Sequence, residues 1–285
     1  MPLCEQSVAI VGLGLMGASL AGALRGKCKQ VIGVARRSET IRRARQLGLI
    51  DLGTDSPRDS LGQADIVVMA TPVRAILAGL PEVGRWAKPG TIVMDLGSTK
   101  HEVMQAMQGL PDHLQPIGGH PMCGREKSGI EAADPSLYLD RVFVLTPTER
   151  TSPGTLETAQ TLVRAAGARP LVLDAERHDR LVATISHLPY LLSVALVRTA
   201  EQTAPEDSAV WSLAASGFRD TSRLAASEVE MMVDILLTNR KPILDRLQLF
   251  LEQASLLEIA LRDDDIAGLR AMLAAARQRR EGMYQ

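Results

Sequence analysis

Val8-Ala9-Ile10-Val11-Gly12-Leu13-Gly14-Leu15-Met16-Gly17 stands near the start of the chain, and Ala18 to Leu24 continue it with small and aliphatic residues. The apolar, β-branched run predicts a strand, the glycines a tight turn, and the Ala/Leu run a helix. This is GxGxxG with the flanks it requires. Gly12 allows the turn, Gly14 leaves room for a pyrophosphate against the backbone, and Gly17 lets helix and strand pack closely. The free N–H groups of Leu15, Met16 and Gly17 at the helix start would face the phosphates. The stretch therefore predicts a dinucleotide-binding βαβ unit.

Outward from it, short β-branched runs recur at Gln30–Val34, Asp65–Ala70, Thr91–Asp95, Val142–Thr146 and Pro170–Asp174. Helical stretches such as Glu39–Gln46 and Pro153–Ala166 lie between them. Strands alternating with helices imply an α/β fold, a doubly wound and mostly parallel Rossmann sheet. Beyond about Ala175 the apolar residues recur at three- and four-residue spacing. Helices are expected at 177–203, 208–214, 227–262 and 264–280. The division expected is a Rossmann domain at 1–175 and an all-α domain at 176–285.

Composition narrows the function. The chain has 285 residues, 46% of them hydrophobic, and a formal net charge of −1. That apolar fraction supports a packed core, and near-neutral charge argues against a nucleic-acid or membrane-surface binder. Aromatics are only 3%, so the core is aliphatic. Of the 32 basic residues 26 are Arg, a bias that codon composition explains as well as function does. Three cysteines show no metal-ligand spacing, no metal site is expected, and nothing at the N-terminus reads as a signal peptide. A cytoplasmic protein is expected. The apolar stretch Leu181–Ala200 is interrupted by His187, Pro189 and Arg198, and is expected to be a buried helix rather than a membrane span.

The second strand selects the nucleotide. An NAD site carries Asp or Glu at its end, on the ribose 2′-OH. Here Val34 is followed by Ala35-Arg36-Arg37-Ser38. Two arginines and a hydroxyl without an acid predict NADP, with Arg36, Arg37 and Ser38 toward the 2′-phosphate. A solvated arginine pair is the plainer reading of the same residues. Thr71, just after the Asp65–Ala70 strand, is a further cofactor-binding candidate.

Two other strand ends carry polar residues, where open α/β sheets bind ligands. They are Met94-Asp95-Leu96-Gly97-Ser98-Thr99-Lys100 and Gly118-Gly119-His120-Pro121-Met122-Cys123-Gly124. Glycines and a proline around one His fix a special backbone, which favours a general base at His120. Farther on come Ile185-Ser186-His187-Leu188-Pro189 and the polar island Ala215-Ser216-Gly217-Phe218-Arg219-Asp220-Thr221-Ser222-Arg223. The island is either a solvated loop or an anion clamp.

Gly-Gly-His-Pro-Met-Cys-Gly, Ser-His-Leu-Pro and Ser-Gly-Phe-Arg-Asp-Thr-Ser-Arg, in this order behind GxGxxG, resemble the prephenate/arogenate dehydrogenases of tyrosine biosynthesis. The resemblance runs from residue 7 to about 250. It implies a Rossmann domain followed by a helical dimerisation domain, and hence a homodimer. It implies hydride transfer from a cyclohexadienol to the nicotinamide with loss of the ring carboxylate as CO₂. His120 would accept or polarise the ring hydroxyl proton, helped by Ser98. Arg223 would bind a substrate carboxylate, and His187 would line the pocket or simply be a structural helix histidine. Arg219 would assist, or pair with Asp220. Glu230, nine residues before Asn239, stands where arogenate-preferring members carry an acid for the substrate ammonium. An acid at a helix start is also common without any such role. The expected reaction is L-arogenate to L-tyrosine with NADP⁺, with prephenate or dual-substrate use as the alternative. Cys123 replaces a common Ala and has no nucleophile partners.

Two rivals share the architecture. β-Hydroxyacid dehydrogenases need a Lys in the first helix of the helical domain, and residues 177–240 contain none. A non-catalytic NADP sensor would not need an aimed His120. Leu236, Leu237, Leu244, Leu247, Leu251 and Leu257 exceed what one helix face needs, which agrees with a two-fold interface.

Overall fold

A computed structural model of the chain describes residues 2–125 and 127–283. The first part alternates β1 (Ser7–Val11), α1 (Leu15–Leu24), β2 (Gln30–Val34), α2 (Ser38–Gln46), β3 (Leu52–Thr54), α3 (Pro57–Leu61), β4 (Ile66–Met69), α4 (Val73–Trp86), β5 (Ile92–Asp95), α5 (His101–Gln108) and β6 (Gln115–Pro121). β7 (Val142–Pro147), α6 (Pro153–Ala165) and β8 (Arg169–Val172) complete it. The strands form one sheet in the order β3-β2-β1-β4-β5-β6-β7-β8. All neighbours are parallel except β6 and β7, so β7 and β8 run against the rest.

The sheet is covered on both faces, which is why its strands read as unbroken apolar runs. Val8 and Ile10 of β1, Ile66 and Val68 of β4, and Ile92 and Met94 of β5 face one core with Leu20, Leu24, Leu162 and Phe143. The alternate residues Ala9, Val67 and Val93 face the other core with Leu61, Ile76, Leu80, Val103 and Met107. Fully burying each such aliphatic side chain stabilises the fold by about 1.5–3 kcal/mol. The chain leaves β1 toward β2 and β3, then returns to place β4 on the other side. The crevice beyond the C-terminal ends of β1 and β4 is therefore the switch point where ligands of such sheets bind. β3 was not expected from the sequence. It has three residues, one a glycine, and is too short to show alternation.

The rest is helical: α7 (Ala175–Val182), a π turn (Ala183–His187), α8 (Leu188–Thr203), α9 (Ala209–Ser212), α10 (Ser216–Ser222), a 3₁₀ turn (Arg223–Ala226), α11 (Val229–Thr238), α12 (Arg240–Arg262) and α13 (Ile266–Glu281). Asp174 caps α7 by accepting from the Arg177 amide at 2.8 Å, a device that supplies one missing partner at the helix start. The helix expected at 227–262 is two helices. It breaks at Asn239 (φ −123°, ψ 28°), whose amide group bonds elsewhere. By contacts the chain groups into Met1–Asn239 and Arg240–Gln285. The reason is that α7 packs on α5 and α11 on α4. The second unit is a hairpin of α12 and α13.

The expectation of a buried helix over 181–200 is corrected. The continuous helical run Ala175–Thr203 is long and apolar enough to cross a membrane by length and composition, yet only 22% of its most apolar window is buried. Its neighbours within the chain cover too little of it. Ile185 is 65% exposed, and Leu181 is exposed as well.

Candidate functional site

The glycine turn is shaped as the sequence requires. Gly12 has φ +102°, a left-handed conformation that only glycine adopts freely, and a side chain there would strike the Ala70 carbonyl. A Cβ on Gly17 would lie 1.9 Å from the Gly12 carbonyl oxygen, so α1 sits directly on the turn. A Cβ on Gly14 would meet nothing within 4 Å. Gly14 therefore borders open space, and no side chain caps the start of α1 there. Leu15 and Met16 are half-buried in this first turn. Thr71, after β4, abuts Gly12, and its buried hydroxyl has no partner among the described residues. A cradle bare of side chains, uncapped amides and an orphaned hydroxyl fit the phosphates of a dinucleotide. Arg36, Arg37 and Ser38 are exposed beyond β2, and the nearest acid, Glu39, is one residue into α2.

Across the sheet, β5 and β6 build the second half of the site. Asp95 ends β5. Its carboxylate accepts from Gly97 N at 2.7 Å and Gly119 N at 3.2 Å. Lys100 donates to the same carboxylate and, at 2.7 Å, to the Gly119 carbonyl. Both side chains are wholly buried. Burial pulls the Lys100 ammonium below its usual range, while Asp95 and Asp179 hold it up. The ion pair thus grips the peptide group on each side of Gly119, one residue before His120. Gly119 cannot carry a side chain, because its Cβ would approach the Asp95 carbonyl to 2.6 Å.

His120, near the C-terminal end of β6, pairs through Nδ1 with His178 Nε2 at 2.8 Å. His178 Nδ1 in turn meets Asp179 Oδ1 at 2.7 Å. Asp179 also accepts from the amides of Lys100 and His101, both at 2.8 Å, and so caps α5 from α7. Burial holds the His120 imidazole well below 6.5, reinforced by His178, Lys100 and His187. At neutral pH it is uncharged and able to accept a proton.

Sequence reasoning expected Ser98 to help His120 with the ring hydroxyl. In the structure His120 pairs with His178, and the half-buried Ser98 hydroxyl has no hydrogen bond among the described residues. His187 is buried in the π turn, where its Nδ1 faces the Asn239 amide at 3.1 Å. Asn239 also donates to the Asp179 carbonyl at 2.8 Å. Burial lowers His187 to about 4. Arg219 pairs with Asp220 at 3.6 Å, with both side chains more than 70% exposed. Arg223 is exposed at the start of the 3₁₀ turn, and Ser193, donating to the Thr221 carbonyl at 2.8 Å, ties that segment to α8. Glu230 is exposed in the first turn of α11, whose cap is Glu228. Burial raises the Cys123 thiol to about 11, which removes it as a nucleophile. No group of three or more His, Cys, Asp or Glu among the described residues is arranged to hold a metal.

Sequence reasoning missed His178, Asp179, Lys100 and the structural role of Asn239. Glu176-Arg177-His178-Asp179-Arg180 reads as an ordinary charged helix face. Only the docking of α7 on α5 brings it to His120.

Comparison with known proteins places this arrangement. The family description "Prephenate dehydrogenase, nucleotide-binding domain" matches residues 20–172, and "Prephenate dehydrogenase, dimerization domain" matches 174–275. The prephenate dehydrogenase of Bacillus subtilis is 32% identical over 98% of this chain and 76% of its own. The chain belongs to the prephenate dehydrogenase family. This family of tyrosine biosynthesis includes prephenate and arogenate dehydrogenases, and two of its solved structures resemble the chain throughout. One is prephenate dehydrogenase from A. aeolicus in complex with hydroxyphenyl propionate and NAD⁺, at TM-score 0.90 and 30% identity over 98% of each chain. The other is Synechocystis arogenate dehydrogenase, at TM-score 0.84 and 31% identity over 97% of this chain and 99% of that one. The resemblance read from the three motifs is thus correct, as is the expected succession of a Rossmann-like domain and a helical dimerisation domain. In this prephenate dehydrogenase family oxidoreductase, the glycine turn at 12–17 directly precedes the matched nucleotide-binding domain, which contains Thr71. His120 belongs to that domain too, and His178 and Asp179 come from the dimerisation domain.

Proposed function

We propose that the protein converts L-arogenate to L-tyrosine and CO₂ with NADP⁺ as hydride acceptor. The observation that carries the reaction type is His120: a half-buried, uncharged imidazole at the C-terminal edge of the sheet, with Nε2 free of protein partners among the described residues. A nicotinamide dinucleotide held at Gly12, Gly14, Gly17 and Thr71 would supply the hydride acceptor. Nε2 accepts the hydrogen bond of the ring hydroxyl and takes its proton as the carbinol carbon becomes a carbonyl. The C–C bond to the ring carboxylate then breaks, its electron pair aromatises the ring, and the phenolate oxygen recovers the proton. Aromatisation drives the step, so the protein's task is to orient the ring and manage one proton. Arg223 is the partner for a substrate carboxylate, as a fork–fork pair, and Ser98 a second contact for the hydroxyl.

The exposed Arg36-Arg37-Ser38 at the end of β2 supports NADP⁺, since a 2′-phosphate would replace the missing acid as the group recognised. Glu230 supports arogenate, whose ammonium a carboxylate would hold. Prephenate is the second reading, favoured by the relatives' names: the B. subtilis and A. aeolicus proteins are both prephenate dehydrogenases. The homodimer is supported by the match of the dimerisation domain and by the uncovered apolar face around Leu181 and Ile185.

The test is the rate of dinucleotide reduction (NADP⁺ to NADPH or NAD⁺ to NADH) at equal concentrations of arogenate and prephenate, for wild type and Glu230→Gln. Arogenate is expected to be used with the higher kcat/KM, and Glu230→Gln to lower that ratio at least tenfold. An unchanged ratio removes Glu230 from substrate choice, and no turnover of either acid refutes the reaction.

A further inference from the structure

Asp179, His178 and His120 form a directional chain of hydrogen bonds whose far end is the proposed base. Asp179 Oδ1 and Oδ2 already accept the amides of Lys100 and His101. A carboxylate in that setting is an acceptor only. His178 Nδ1, 2.7 Å away, must therefore be a donor. In the neutral imidazole that leaves one proton, on Nδ1, and a lone pair at Nε2. His120 Nδ1 lies 2.8 Å from that lone pair and must be the donor in its turn. Its Nε2 is left bare.

We propose that Asp179 and His178 are positioning residues that set the tautomer of His120, keeping its proton on Nδ1 and its Nε2 open as the acceptor for the substrate hydroxyl. This deepens the reaction proposed above and rests on it only for the identity of the hydroxyl. Alone in water, a histidine carries its single proton on either nitrogen, and an imidazole with the proton on Nε2 cannot take a second one there. Fixing the proton on Nδ1 commits every molecule to the competent form. When the hydroxyl proton moves to Nε2, the charge on His120 is met by the His178 lone pair, and His178 remains bonded to Asp179. The proton leaves Nε2 again when the phenolate recovers it, so the chain ends as it began.

The surroundings make this arrangement rigid. His178 and Asp179 are each about 1% exposed. The groups that face His120 are His178 of α7, His187 of the π turn, and Lys100, itself neutralised by Asp95 of β5. Asp179 is held in place by the first amides of α5 and by the Asn239 side chain on its carbonyl. None of the three groups can rotate without breaking a hydrogen bond of this chain.

The experiment reads the tautomer directly. Two-bond ¹H–¹⁵N correlation spectra distinguish the two neutral histidine tautomers, and the chain has five histidines, so assignment by single substitution is practical. In the wild-type protein without substrate, His120 is expected with the proton on Nδ1 across neutral pH. Asp179→Asn reverses one donor in the chain and is expected to move the His120 proton to Nε2 in a substantial fraction of molecules. His178→Phe, which removes the acceptor, is expected to leave a mixture. Both variants are expected to lower kcat by about 10²-fold or more, the scale of general-base assistance, with KM within about threefold. A wild-type His120 protonated on Nε2 overturns the proposal, and that spectrum does so even if a variant fails to fold. A fall in kcat with the His120 tautomer unmoved also overturns it, because the residues would then be merely structural. If neither arogenate nor prephenate is turned over, the reaction is refuted, while the tautomer assignment is still decided by the spectrum.

Discussion

Lys100 and Asp95 form an ion pair with no solvent exposure on either side chain, and the Lys100 ammonium also holds the Gly119 carbonyl at 2.7 Å. Such a pair is costly to break from one side, because the remaining charge stays buried. Lys100→Met is expected to lower stability by about 3–5 kcal/mol, measured as the loss of unfolding free energy in urea. Lys100→Met combined with Asp95→Asn is expected to recover part of the loss, since no unpaired charge stays buried and the one amide oxygen still accepts from Gly97 or Gly119. A single Lys100→Met variant as stable as wild type would show that the pair contributes nothing to the fold.

Gly17 and Gly14 lie three residues apart and should fail differently. Gly17→Ala places a methyl 1.9 Å from the Gly12 oxygen, so α1 must lift from the turn. Its melting temperature is expected to fall and its cofactor binding to be lost. Gly14→Ala meets nothing in the protein, so its melting temperature is expected to stay within about 2 °C of wild type, as for substitutions outside the core. Its dinucleotide Kd is expected to rise at least tenfold, because the methyl occupies the space a pyrophosphate would use. Calorimetry and fluorescence titration on both variants check this, and tight binding by Gly14→Ala contradicts the cradle.

His187 makes stability depend on pH. Burial holds it at about 4 in the folded protein, against an ordinary value of 6.5. The folded value is the lower one, so its contribution is complete above pH 6.5. As pH falls from 6.5 to about 4, the unfolded chain takes up a proton that the folded protein refuses, and stability declines. The decline from this group is about 3 kcal/mol at most. Urea midpoints from pH 7.5 to 4.5 should show it, and His187→Leu should flatten the curve over that interval. A His187→Leu curve parallel to wild type would assign the slope to other groups.

Arg36→Ala tests the choice of dinucleotide. A charged hydrogen bond to a 2′-phosphate contributes about 1.5–3 kcal/mol, so the KM for NADP⁺ should rise about 10- to 100-fold. The kcat/KM for NAD⁺ should not change. Equal effects on both dinucleotides would place Arg36 outside the 2′ position.

The legible parts of this molecule were local. The GxGxxG turn, the strand–helix alternation and the punctuation around His120 are all written within a few residues, because φ angles, amphipathic period and strand burial are properties of short segments. The illegible parts are relations between distant segments. His120 and His178 are 58 residues apart, and Asp179 and Asn239 are 60 apart. Nothing in Glu176-Arg177-His178-Asp179-Arg180 announces that its fourth residue caps a helix from another part of the chain. The break at Asn239 was hidden for the same reason. Asn is tolerated at a helix end, but the bonds that fix it there come from α7 and the π turn. The uncovered face of Ala175–Thr203 was misread because apolar composition reports what must be covered, not whether the same chain covers it.

The Asp179 carboxylate grips the amides of Lys100 and His101 at the start of α5 and, with one of the same oxygens, His178. Latch and trigger are therefore one group. Any hinge motion that drew α7 away from α5 would disarm His120 at once, while the glycine cradle on β1 and α1 stayed intact.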